Sequence, residues 1–290
     1  MKKSDEAKRP FAKGVFLGAV GSLVVMFVAV CIFLYQWRQT SSGRNLINLE
    51  YGDSFEAVSL YDEGDTISAL PLSNDGTVVF YLSSYCGTCI DSLQQYKAIR
   101  EIWKDKISTC IIWQDDIPTN LVKTNDIPLA ENYSLHQKVT LSPNKPTFYL
   151  IEGGKISFLT YDLKILEQKL LENDYMPKDS IRNNAFQYIA ETLGISDTGQ
   201  TLVYFCMDGC QDCEHADELI SQHEIAQHYE IKKIYRSDTD MDGVFIDEND
   251  LLSTIFDVTW YPSFLICRSG EPYQIVGKVS DQKLLGILLK

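Results

Sequence analysis

Positive charge is scarce in this 290-residue sequence: 26 Lys and Arg stand against 40 Asp and Glu, a formal net charge of −14 at pH 7. What there is collects at the start. Lys2, Lys3, Lys8, Arg9 and Lys13 outweigh Asp5 and Glu6, so residues 1–13 carry +3 and the rest of the chain carries −17. A surface of that sign repels phosphate backbones and argues against nucleic acid as a partner. Metal-ligand patterns are lacking too. The two close cysteine pairs lie far apart in the chain, whereas a zinc ribbon sets its pairs about 15–20 residues apart. His223 and His228 are five positions apart, not four, which misses the metalloprotease helix pattern. Asp238, Asp240, Asp242 and Gly243 match the opening of a calcium loop, but Asn249 stands where the bidentate Glu belongs. A solvated acidic loop accounts for that stretch, with calcium as the alternative. No short repeat period is present, which excludes a solenoid.

Long apolar runs are absent with one exception. Residues 14–35 hold no charge, and that length spans a bilayer core as a helix. The basic residues precede it, so the reading is a cytoplasmic tail (1–13), a transmembrane helix (14–35) and an outward-facing remainder. No run of small residues marks a cleavage site after it, which argues against a signal peptide. Residues 36–50 are polar and read as a tether. An external compartment permits disulfides.

Eight cysteines are present, at 31, 86, 89, 110, 206, 210, 213 and 267. Two pairs have Cys-x-x-Cys spacing. Thr77–Leu93, TVVFYLSSYCGTCIDSL, opens on an apolar run that reads as a buried strand. It passes small polar residues, reaches Cys86-Gly87-Thr88-Cys89, and continues at helical spacing through Ile90, Leu93 and Tyr96. A helix start stabilises a thiolate through its free amides and dipole. Thr201–Ile220, TLVYFCMDGCQDCEHADELI, repeats the order around Cys210 and Cys213. Downstream of each pair, a proline precedes a strand hairpin: Lys145-Pro146 in the first unit and Tyr261-Pro262 in the second. Cys110, Cys206 and Cys267 sit in apolar runs and read as buried hydrophobes. The predicted helices include 163–171 and 179–193, and one near Ala130. The division is 51–175 and 176–290.

The order of strand, Cys-x-x-Cys, helix and X-Pro before a hairpin resembles the thioredoxin-like superfamily in both units. The leading hairpin and VVFYLSSYCGTC of the first unit are similar to the membrane-tethered TlpA/ResA-like thiol–disulfide oxidoreductases. The fold implied is α/β, a transmembrane helix followed by two domains, each a central mixed sheet flanked by helices. The resemblance implies that Pro146 and Pro262 are cis and lie beside the pairs, next to Lys145 and Tyr261. It implies Cys86 and Cys210 as nucleophiles and Cys89 and Cys213 as resolving thiols, which release a mixed disulfide. It needs no cofactor. Partners would be cysteine-bearing exported proteins or redox partners, with a multi-span membrane protein as electron donor. Three features depart from the family. Lys145 and Tyr261 stand before the prolines, where the family often has Thr. Phe80 and Tyr204 stand six residues before the first cysteines, where many thioredoxins carry a buried acid. Asp208, Asp212 and Glu214 surround the second pair and disfavour its thiolate, so the first site is expected to be the more reactive. These departures leave open a second reading, a binding or assembly factor with little turnover.

Overall fold

The computed structural model describes residues 30, 45–55, 58–62, 67–68, 70, 72–73, 75–135, 139–196, 199–236, 244–269 and 272–289. The predicted tail and, Val30 apart, the predicted membrane helix lie outside the described residues, as do Asp238, Asp240, Asp242 and Gly243. Among the described residues no helix is long and apolar enough to cross a membrane.

A short strand β1 (Asn45–Leu46) pairs in parallel with β7 (Val139–Thr140). The first main sheet has seven strands: β2 (Leu60–Tyr61), β3 (Ile67–Ser68), β4 (Thr77–Leu82), β5 (Ser108–Trp113), β6 (Asn132–Leu135), β8 (Thr147–Glu152) and β9 (Lys155–Thr160). Their spatial order is β3-β2-β6-β5-β4-β8-β9. Strands β6, β5 and β4 run parallel, β8 is antiparallel to β4, and β9 is antiparallel to β8. The second sheet holds β10 (Thr201–Cys206), β11 (Glu230–Arg236), β12 (Phe245–Asp247), β13 (Ser263–Cys267) and β14 (Gln274–Val276) in the order β12-β11-β10-β13-β14. Again three neighbouring strands are parallel, and the antiparallel hairpin β13–β14 follows with β13 against β10. The strand before each cysteine pair is therefore central, between its parallel successor and the strand that follows the X-Pro. Every residue of β4 and β10 is buried, as expected of apolar strands covered on both faces. This is the two-sheet α/β arrangement the resemblance implies.

The helices are α1 (Gly87–Trp103), α2 (Thr119–Thr124), α3 (Leu163–Glu172), α4 (Lys178–Leu193), α5 (Gln211–Gln222), α6 (Leu251–Ile255) and α7 (Asp281–Leu288). Helix α4 ends as its sequence dictates: Gly194 takes φ 65, and Ile195 N–H returns to Ala190 O at 2.8 Å. Around Ala130 the structure differs from expectation. Helix α2 and a 3-10 turn at Leu129–Glu131 lead into strand β6. Strand β6 carries two buried polar residues, Asn132 and Ser134, which disguise it in the sequence. Asn132 Oδ1 accepts from Trp113 Nε1 at 2.9 Å, and its amide donates to Pro128 O at 2.8 Å. Strand β12 is likewise unannounced by the sequence and takes the place beside β11 that β6 takes beside β5.

One apolar cluster is shared by both units. It runs from Phe80, Ile99 and Trp103 through Ile181, Ala185 and Ile189 to Phe205, Leu251 and Phe256. Helix α4 is the strut. Its Asn184 Nδ2 donates to Ile102 O and to Asp105 Oδ2, both at 3.0 Å. Arg182 Nε donates to Ile255 O at 3.0 Å and its guanidinium pairs with Asp257. Separate clusters cover the far face of each sheet.

Candidate functional site

Both cysteine pairs occupy the same local structure. Cys86 and Cys210 are the N-caps of α1 and α5, in extended backbone, and each Sγ accepts from the amide three residues on, Cys89 N–H and Cys213 N–H, at 3.2 Å. The two pairs are disulfide-bonded, with Cα–Cα separations of 5.2 Å. Cys86 is partly exposed while Cys89 is fully buried; Cys210 is partly exposed and Cys213 is buried. The outer sulfur is thus reachable and amide-stabilised, and the inner one is shielded. The Lys145-Pro146 and Tyr261-Pro262 bonds are both cis. The carbonyl oxygen of Lys145 lies 3.7 Å from Cys86 Sγ, and that of Tyr261 lies 3.9 Å from Cys210 Sγ. Residues some fifty to sixty apart in sequence therefore meet at each sulfur, as the resemblance implies.

The side chains around the sulfurs divide the sites. At the first, Thr88 Oγ1 lies 3.3 Å from Cys86 Sγ, placed to donate to a thiolate. At the second, the corresponding place in the pair is Asp212, and Asp212 and Glu214 form the acidic first turn of α5. These charges offset the helix dipole that would otherwise favour a Cys210 thiolate. Lys145 Nζ sits 5.4 Å from the Tyr81 ring centroid, a cation–π contact. Tyr261 OH lies 3.0 Å from Ser253 Oγ.

The sequence offers little hint of Asp115, which follows β5 by two positions. Its carboxylate accepts from Ser84 N–H at 3.2 Å, Ser84 Oγ at 2.9 Å and Ser83 Oγ at 3.2 Å. Ser83 O in turn accepts from Cys86 N–H at 3.2 Å. Asp115 therefore pins the turn that presents Cys86. The matching end of β11 carries Arg236, whose Nη1 lies 3.7 Å from Met207 Sδ and whose Nε donates to Asp250 Oδ1 at 3.2 Å. The two Cys-x-x-Cys turns are thus backed by side chains of opposite charge. Replacing Asp115 with alanine is expected to slow attack by Cys86 about tenfold, the cost of about 1–2 kcal/mol for lost hydrogen bonds to a charged group. Asp115→Asn, which keeps an acceptor for Ser84 N–H, is expected to restore most of that rate. Stopped-flow thiol–disulfide exchange measures both; an unchanged rate in Asp115→Ala removes the positioning role.

Phe80 occupies the place of the usual acid and is fully buried, edge-on to Tyr96 and Phe148 with ring centroids 5.1 and 4.9 Å away. Its counterpart Tyr204 is buried, and its hydroxyl binds the Asp217 carboxylate, which also pairs with Lys233 at 2.8 Å. The remaining described cysteines are free and buried. Burial pushes the Cys110 thiol far up, Cys206 up to about 12 and Cys267 up to about 11, so they are inert as nucleophiles. His215, two positions after Cys213, faces Asp281 Oδ2 at 3.0 Å, and that hydrogen bond raises its pKa. His223 closes α5 and His228 follows a separate 3-10 turn, so the two share no helix. No group of three metal-ligating side chains occurs among the described residues.

No protein-family model matches the sequence. No curated protein matches it. Solved structures do resemble it. A thiol:disulfide interchange protein from Bacteroides sp. aligns at 12% identity over 44% of this chain and 91% of its own, with a TM-score of 0.37. The thioredoxin domain of a thiol-disulfide oxidoreductase from Bacteroides vulgatus aligns at 12% identity over 49% and 99%, with a TM-score of 0.34. A thioredoxin-like protein from Bacteroides caccae aligns at 15% identity over 49% and 55%, with a TM-score of 0.32.

Proposed function

We propose that this chain is a membrane-tethered thiol–disulfide oxidoreductase that faces out of the cytoplasm and works through two Cys-x-x-Cys sites. The observation that carries the proposal is the paired geometry. Twice in one chain, a partly exposed cysteine caps a helix, bonds to a buried cysteine three residues on, and lies under the carbonyl of the residue before a proline. Structural disulfides need neither the exposed outer sulfur nor the amide-capped thiolate position.

The chemistry balances within protein thiols. In the reducing direction the Cys86 thiolate attacks one sulfur of a partner disulfide; that S–S bond breaks, and the leaving sulfur departs as a thiolate and takes up a proton. Cys89, losing its proton, then attacks Cys86 in the mixed disulfide and frees the second partner thiol. The chain leaves with the Cys86–Cys89 disulfide, two electrons poorer. Cys210 and Cys213 take the same parts in the second unit. Oxidation of a partner is the reverse, and the reduction potential of each pair against its compartment sets the direction. The proposed tether is residues 14–35, with 1–13 cytoplasmic. Cysteine-bearing exported proteins or redox partners are the proposed substrates, and a multi-span membrane protein is the proposed electron source for a reductant.

The full chain, reduced by dithiothreitol, is expected to accelerate insulin reduction well above the dithiothreitol blank. A rate equal to the blank sinks the enzyme and leaves the binding or assembly role, which the fully apolar setting of Phe80 favours.

A further inference from the structure

A cleft of about 410 Å³ opens between the two units, directly beside the first cysteine pair. Thr88 and Pro146 form its end at the redox site, and Glu248 and Asn249 of the second unit form the opposite wall. The second unit thus completes a groove that the first would otherwise leave open. Three carboxylates line it, Asp91, Asp162 and Glu248, and no Lys, Arg or His does. Gln95 also lines it. That side chain is only 7% exposed, and its Oε1 is buried with no hydrogen-bond partner. An unmatched buried acceptor is costly, so the cleft combines carboxylates that face no basic side chain within it with an acceptor left unused in its wall. Burial first, and then Asp91, raise the Glu248 pKa, so the two acids feel each other across the opening.

We propose that this cleft docks a lysine or arginine side chain of a cysteine-bearing partner chain, beside the first redox pair. Cationic groups are what the walls lack. A guanidinium or ammonium brings positive charge and several N–H groups to the three carboxylates, of which Asp162 already accepts from Lys164 N–H, and it relieves the repulsion between Asp91 and Glu248. The neighbouring Thr88 and Pro146 place such a side chain a few residues from a partner cysteine at Cys86. The redox consequence rests on the oxidoreductase reading; the docking itself does not.

The test separates the two. A fluorescent decapeptide with its cysteine replaced by serine and flanked by arginines is titrated with the full-length protein at low salt, beside a glutamate-flanked twin. The arginine peptide is expected to bind about tenfold tighter. Asp91→Asn with Glu248→Gln is expected to weaken it about five- to tenfold, and Glu248→Lys to abolish the preference. Equal affinity for both peptides, or a preference that survives Asp91→Asn/Glu248→Gln, overturns the proposal. In a parallel assay, the reduced full-length protein acts on the corresponding cysteine peptides as mixed disulfides with a small thiol, and on hydroxyethyl disulfide. Selective peptide binding without reduction of any of these substrates keeps the cleft and sinks the oxidoreductase reading. Rapid reduction of hydroxyethyl disulfide without arginine preference in binding or rate keeps the enzyme and sinks the cleft.

Discussion

Glu167→Gln stabilises the folded chain by on the order of 3 kcal/mol at pH 8.5 and by less than about 1 kcal/mol at pH 5. Glu167 lies on α3 between the two units, 3% exposed, and neither carboxylate oxygen makes a hydrogen bond of normal geometry. Desolvation raises its pKa to about 8 from an ordinary 4.5. Asn249 and Lys164 ease the shift, and Asp247 and Asp162 add to it. The unfolded chain releases this proton near 4.5 and the folded chain near 8. Between those values the folded state binds the extra proton, so stability is complete below about pH 4.5 and falls as pH rises to 8. Each pKa unit is worth about 1.4 kcal/mol, and relaxation and water entry reduce the full span to the few kcal/mol expected. Asp247, raised to about 6, acts in the same direction. It is better supported, since its carboxylate accepts from Leu252 and Ser253 N–H at 2.8 Å. Glutamine has the shape of protonated glutamate and cannot ionise. Urea midpoints of both proteins at pH 5 and 8.5 give the answer. An equal difference at the two pH values means that Glu167 titrates normally.

Cys86 is expected to react with a thiol reagent about ten times faster than Cys210 at pH 7, once each is freed of its partner by Cys89→Ser or Cys213→Ser. Both sulfurs have the same helix amide at 3.2 Å, so the helix does not distinguish them. The flanking side chains do. Thr88 can donate to the Cys86 thiolate, whereas Asp212, Glu214 and Asp208 oppose one at Cys210. A tenfold difference in thiolate fraction corresponds to about one pKa unit. Asp115 behind the first turn and Arg236 behind the second act in the opposite sense, but each is engaged by other groups. Iodoacetamide kinetics from pH 4 to 10 on the two single-site variants decide it. Equal rates, or a faster Cys210, mean that the backing charges win. Under the oxidoreductase reading, Cys86→Ser together with Cys210→Ser leaves no insulin reduction at all, because every other cysteine thiol among the described residues is buried. Residual turnover in that double variant refutes the site assignment.

How far the site could be read in advance follows from how local each part is. The cysteine pairs, their strands and their helices are contiguous in sequence, and apolar runs and helical spacing reveal them. The two X-Pro positions were visible because each stands directly before a strand. Strand β6, by contrast, hides behind Asn132 and Ser134, whose polarity is satisfied by Trp113 and by neighbouring backbone. Glu167 hides for the opposite reason. In LKILEQKLLE it falls at helical spacing within the Leu163, Leu166, Leu170 and Leu171 face, a charged residue at a core position, and the one covered face of α3 carries it inward.

The sequence by itself determined two units, each with strand, cysteine pair, helix and proline, because those signals depend on residues a few positions apart. Only the tertiary structure decided that the units share one apolar core, that Asp115 holds the turn before Cys86, and that Glu248 faces Asp91 across a cleft. Those juxtapositions join residues that are from 31 to more than 150 positions apart. Their chemistry comes from how packed elements exclude water and set charges side by side, and no periodicity in a linear chain records that.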